Sequence, residues 1–225
     1  MPDQPLGLTV HSLPSPGGAG EQARRTVRGR WRLLGLALVC AAPVIASYFT
    51  YYVVRPEGRR NYGELIDPQR PLPPIPATAL DGKAAPLSAL KGQWLLLSVA
   101  GGGCDPACEQ HLYLQRQLRE GLGKEKNRMD WIWLVPDETP VRPALLPALS
   151  QAAVLRVPGE QLSAWLQPAP GRQLHEHLYL VDPLGNLMLR FPAALDASSA
   201  PQAKRDLDRL MRASAGWDKP GREQH

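Results

Sequence analysis

The stretch LLGLALVCAAPVIASYFTYYVV, Leu33 to Val54, runs for 22 residues without a charged side chain. Nothing else in the chain restricts its fold as strongly. At about 1.5 Å per residue a helix of that length reaches roughly 33 Å, enough to cross the hydrocarbon core of a bilayer. Tyr48, Tyr51 and Tyr52 stand where an interfacial aromatic belt belongs, and Pro43 is a potential kink. The stretch is too long for a usual signal-peptide core, and no small-x-small cleavage site follows it, so an uncleaved anchor is expected over 31–54.

Charge sets the orientation. Arg24, Arg25, Arg28, Arg30 and Arg32 precede the span, whereas Arg55, Arg59 and Arg60 follow it beside Glu57. The positive-inside rule therefore puts residues 1–30 in the cytoplasm and the C-terminal part outside. In a bacterium this means an inner-membrane protein with a periplasmic domain, where disulfides persist. Residues 1–60 hold eight arginines against Asp3, Glu21 and Glu57, while the rest carries 18 basic and 18 acidic residues. The excess of positive charge thus belongs to the membrane flank. A neutral domain without a basic stripe excludes nucleic acid as a partner.

Composition divides the remainder. Residues 1–30, rich at first in Pro, Gly and Ser, read as a disordered basic tail, and 55–76 as a Pro-rich linker. The domain is expected over 77–214, with a polar tail at 215–225. Within it, 77–90 reads as a short hairpin turning at Asp81-Gly82. The apolar run 93–100 reads as a strand buried on both faces. Asp105 and Pro106 form an N-cap and first-turn pair that opens a helix ending near Gly123. A second strand over 129–136 follows, then helical pieces over 143–155 and 159–166. A hairpin over 177–192, turning at Asp182 to Asn186, and a helix over 201–213 complete the domain. This order is that of a thioredoxin-like α/β sandwich, here preceded by one transmembrane helix.

Two of the three cysteines, Cys104 and Cys108, flank the start of the first domain helix. Four residues of helix rise about 6 Å, close to the Cα spacing of a disulfide. Amide dipoles at a helix start lower thiol pKa values and favour the thiolates needed for redox exchange or for metal binding. Gly101, Gly102 and Gly103 permit close approach of a ligand or partner to the backbone. On these grounds a redox pair, a metal site and a static bond all remain open. Cys40 lies inside the apolar span and needs no chemistry. No nucleophile elbow and no phosphate-binding glycine loop occur.

Residues 70–213 resemble the Sco/SenC family of membrane-anchored, thioredoxin-fold proteins that handle copper for cytochrome c oxidase assembly. Cys104 and Cys108 stand at the family's CxxxC position, WLVPDETP (133–140) matches its second strand and trailing acidic-Thr-Pro segment, and HLYLVDPLGN (177–186) matches its histidine-bearing hairpin. The resemblance implies copper as the metal, with Cys104, Cys108 and His175 as ligands and His177 or His111 as alternatives to His175. It implies an oxidase subunit, or another copper or thiol assembly protein, as partner. The sequence departs from the family at Asp105 and Glu109, where prolines are usual, and at Leu174, which occupies the register of the family's histidine. These departures keep two other expectations in play: a metal-free thiol-disulfide oxidoreductase using the same cysteines, and a non-catalytic assembly scaffold.

Overall fold

The computed structural model describes residues 16–54, 61–193 and 195–221, and the chain divides into two units, Met1–Gly58 and Arg59–His225. In the first unit a single helix, α1 (Pro16–Phe49), continues into one π-helical turn, Thr50–Val54. Its segment Gly29–Val53 is 25 residues long with a mean hydropathy of 2.0, long and apolar enough to cross a membrane. Trp31 near one end and Tyr48, Tyr51 and Tyr52 near the other are exposed, an arrangement that suits two membrane interfaces. The helix begins about half-way along the tail expected to be disordered over 1–30. Ala, Glu, Gln and Arg in 19–30 are strong helix formers, and a helix nucleated in the apolar span propagates through them at little cost. Residues 1–15 lie outside the described residues.

The second unit is built on one eight-stranded sheet in the order β1-β8-β7-β4-β5-β6-β2-β3. The strands are β1 (Glu64–Pro71), β2 (Pro76–Ala79), β3 (Ala84–Pro86), β4 (Trp94–Val99), β5 (Met129–Val135), β6 (Ala153–Arg156), β7 (Leu178–Val181) and β8 (Asn186–Arg190). Helices α2 (Pro106–Glu120), α3 (Gly159–Leu166) and α4 (Ala200–Ser214) cover its faces. The central strands β4, β5 and β6 are parallel, and β7 joins β4 in the antiparallel sense. Burial on both faces explains why β4 is a continuous apolar run. Leu95, Leu97 and Val99 enter the core shared with Leu162 and Leu166 of α3. Trp94 and Leu96 enter the opposite core with Leu118 of α2 and Leu207 of α4.

Three parts of the chain depart from the sequence expectation. The stretch 55–76, read as a linker, contains β1, which pairs with β8 at the sheet edge, and Ile66, Leu72 and Ile75 are buried in the core. Pro68 and Pro71 are tolerated there because an edge strand need not donate from both sides. The helical pieces expected over 143–155 reduce to a single 3-10 turn, Pro143–Leu145, and the end of that stretch is the strand β6. Pro143 and Pro147 interrupt any helical ladder, and pairing with β5 claims Ala153 to Arg156. The described part of the tail, 215–221, is tied down at Asp218. Asp218 is buried and accepts hydrogen bonds from the Arg128 guanidinium at 3.0 Å and 2.7 Å.

Candidate redox site

The site is assembled at the C-terminal end of β4, where the chain turns through three glycines into α2. Asp105 caps the helix, its carboxylate accepting from the Cys108 N–H at 2.8 Å, and Pro106 follows at the first helical position. The cap fixes the helix start, and Gln115 fixes the helix to the sheet. Fully buried, its amide donates to the carbonyls of Leu96 at 2.6 Å and Ile132 at 3.0 Å, while its Oε1 accepts from Ser98 at 2.9 Å. One side chain of α2 thus ties the helix to the two strands β4 and β5, about two turns past Cys108.

Cys104 and Cys108 form a disulfide, with Cα atoms 5.2 Å apart. Both residues are buried and pack with Leu112, Trp131, Trp133 and Val135. Cys104 adopts φ +39°, a left-handed conformation that costs a residue with a Cβ about 1 to 2 kcal/mol. Its N–H donates to the Gly101 carbonyl at 3.0 Å, closing a turn. The glycines do permit a close approach, but what approaches is the chain's own loop. A Cβ on Gly102 would stand 1.9 Å from the Thr139 carbonyl oxygen, and one on Gly101 would stand 2.4 Å from the Asp137 carboxylate.

Beside the disulfide an open cleft of about 690 Å³ is lined by both cysteines with Asp105, Asp137, Glu176, His111 and His175. His111 lies three residues past Cys108, on the same face of α2. Burial pushes its pKa down, outweighing the opposite pull of the neighbouring His175 main chain. His175 itself is exposed, on a 3-10 turn (Leu174–Glu176) held by reciprocal Gln173 and Glu176 caps. Leu174, the residue in the family histidine's register, instead packs against the core. The single-residue step thus leaves a leucine for the core and a histidine for the cleft.

His177, the first alternative ligand, is placed elsewhere. It is 2% exposed, its Nδ1 donates to the Phe191 carbonyl at 2.8 Å, and its Nε2 accepts from the Ala169 N–H at 3.3 Å. Both nitrogens are used structurally, and desolvation lowers its pKa, which keeps the ring neutral. It is removed from the ligand set. Among the described residues no three His, Cys, Asp or Glu side chains converge as a metal site while the disulfide is closed. Cys40, in α1, is exposed and unbridged.

Asp137 and Thr139 were not singled out from the sequence. The signal was present in the three glycines, which require a close neighbour, together with the acidic-Thr-Pro segment after β5.

A helix-start disulfide on a central parallel strand, with helices on both faces of the sheet, defines a thioredoxin-like domain. The chain belongs to the family of transmembrane-like, thioredoxin-like C-terminal domains, whose model matches residues 94–214. No curated protein matches the chain. Among solved structures it is similar to a SCO1/SenC family lipoprotein from Bacillus anthracis, at 19% identity and TM-score 0.49, over 67% of this chain and 99% of that one. It is also similar to Bradyrhizobium japonicum ScoI with copper bound, at 19% identity and TM-score 0.44, over 61% and 97%. A third is the thioredoxin domain of a thiol-disulfide oxidoreductase from Bacteroides vulgatus, at 15% identity and TM-score 0.47, over 63% and 95%. At these identities and TM-scores no argument rests on the likeness, and the fold stands on the family model and the topology.

Proposed function

We propose that this chain is a single-pass inner-membrane protein whose periplasmic domain, in the order anchor, short spacer and thioredoxin-like unit, uses Cys104 and Cys108 to handle thiols and copper during assembly of a cytochrome oxidase copper centre. The observation that carries the reading is a disulfide at a helix start that lines one open cleft with two imidazoles. Two electrons and two protons from a dithiol reductant open the bond. The thiols then lose their protons as thiolates bind Cu(I), the ion that soft sulfur ligands select. Copper is cargo in this scheme, passed on to an oxidase subunit or another copper or thiol assembly protein. His175 is the proposed third donor, since it is exposed and lines the cleft together with both cysteines; His111 is the alternative.

Titration of the reduced full-length protein in detergent with Cu(I), against a competing chelator, tests the reading. One equivalent is expected to bind, and the Cys104→Ser, Cys108→Ser variant is expected to bind more than about a hundredfold more weakly. Equal affinity in the two proteins refutes the assignment of the site. A second reading, thiol-disulfide exchange without metal, is favoured by the closed bond between Cys104 and Cys108 at the helix start. Redox cycling with no copper uptake selects it.

A further inference from the structure

The loop that carries Cys104 is not free. One carboxylate oxygen of Asp137, Oδ1, accepts from the Gly102 N–H at 3.0 Å and from the Thr139 N–H at 3.1 Å, so a single atom ties the cysteine loop to the loop after β5. That second loop is anchored in turn by Arg156 on β6, which donates to the Asp137 carbonyl at 2.7 Å and the Thr139 carbonyl at 3.0 Å. The two loops are in direct contact, because the missing side chain of Gly102 leaves just enough space for the Thr139 carbonyl. At the end of the latched loop Cys104 sits in its left-handed conformation, within bonding reach of Cys108.

We infer that Asp137 is a positioning residue for the redox reaction: it latches the glycine loop so that Cys104 is presented to Cys108 in the bridging geometry, and by doing so it sets how readily the disulfide forms. The inference rests on the reading of Cys104 and Cys108 as a pair that opens and closes. A thiol pair held at bridging distance closes its bond at small entropic cost. Without the latch, the reduced loop relaxes out of the left-handed region at Cys104, and bond formation must restore that conformation. Loss of the latch therefore weakens the disulfide relative to the dithiol. The backbone acceptor role needs an oxygen and not a charge, so asparagine can replace aspartate in it.

The test is the equilibrium between disulfide and dithiol in glutathione buffers, measured on the full-length protein in detergent by thiol labelling and mass. Asp137→Ala is expected to shift the equilibrium about tenfold toward the dithiol, a change of about 30 mV for a two-electron couple. Asp137→Asn is expected to stay within about threefold of the parent. Gly102→Ala, which leaves Asp137 intact but drives a Cβ into the Thr139 carbonyl, is expected to shift the equilibrium the same way as Asp137→Ala. An unchanged equilibrium in Asp137→Ala and Gly102→Ala overturns the latch. So does an Asp137→Asn variant that behaves as Asp137→Ala, which would assign the effect to charge. A parent protein whose bond never opens in these buffers fails the redox reading instead, and is told apart by that fact.

Discussion

A strain whose only copy of this protein carries Cys104→Ser and Cys108→Ser is expected to lose oxidase activity to the same extent as a deletion strain, with the variant protein present in the membrane at normal level. The pair supplies the only thiols outside the span, since the remaining cysteine, Cys40, lies in α1. The substitution is mild for the fold. Both residues are small, and a loop of this length gains little from closure, on the order of 2 kcal/mol. The protein should therefore accumulate while its chemistry is absent. Normal oxidase activity in the double variant, with activity lost in the deletion strain, selects the scaffold instead. In that case the fold and the anchor serve as an interaction surface, and the bridge is a static one.

The largest effect on stability is expected at Arg128. Its guanidinium is buried against the C-terminal segment, donating to Asp218, to Ser214 Oγ at 2.6 Å, to the Met211 carbonyl at 2.9 Å and to Glu125 at 2.7 Å. Asp218 is equally buried, so Arg128→Ala removes the partner of a desolvated carboxylate and also the packing of the side chain. Breaking a buried pair from one side costs about 3 to 5 kcal/mol, which for a domain of this size lowers the melting temperature by roughly 10 °C. Thermal unfolding followed by near-ultraviolet circular dichroism reads it. A shift under about 2 °C would mean that the segment after α4 contributes nothing to the domain. Removal of both charges together, in Arg128→Met with Asp218→Leu, is expected to cost less than Arg128→Ala alone, because no unpaired charge is left buried.

Much of this architecture is legible in the sequence because it follows from local chemistry. The capped start of α2 is written in Asp105-Pro106, the strands β4 and β5 in their largely apolar runs, and the β7–β8 hairpin in its Asp-Pro-Leu-Gly-Asn turn. What escapes is non-local. β1 reads as a linker because its prolines and arginines suit a spacer, and only its pairing with β8 and the burial of Ile66 make it a strand. His177 reads as an alternative ligand to His175, whereas Phe191 and Ala169, on either side of it in the chain, claim both its nitrogens. The glycines announce a close approach but not its source, since Thr139 lies more than thirty residues downstream. For the cysteines themselves spacing was sufficient: a helix-start CxxxC places the two Cα atoms 5.2 Å apart, within disulfide range.

The central claim is that the Cys104–Cys108 bond opens and closes under the conditions of its compartment. Its reduction potential, measured on the full-length protein in detergent against glutathione and dithiothreitol buffers, tests this most directly. The account predicts a single two-electron transition between about −300 mV and −120 mV, the range in which working thiol-disulfide pairs exchange with their partners. A potential clearly below about −300 mV would mark a static structural bond and contradict the account.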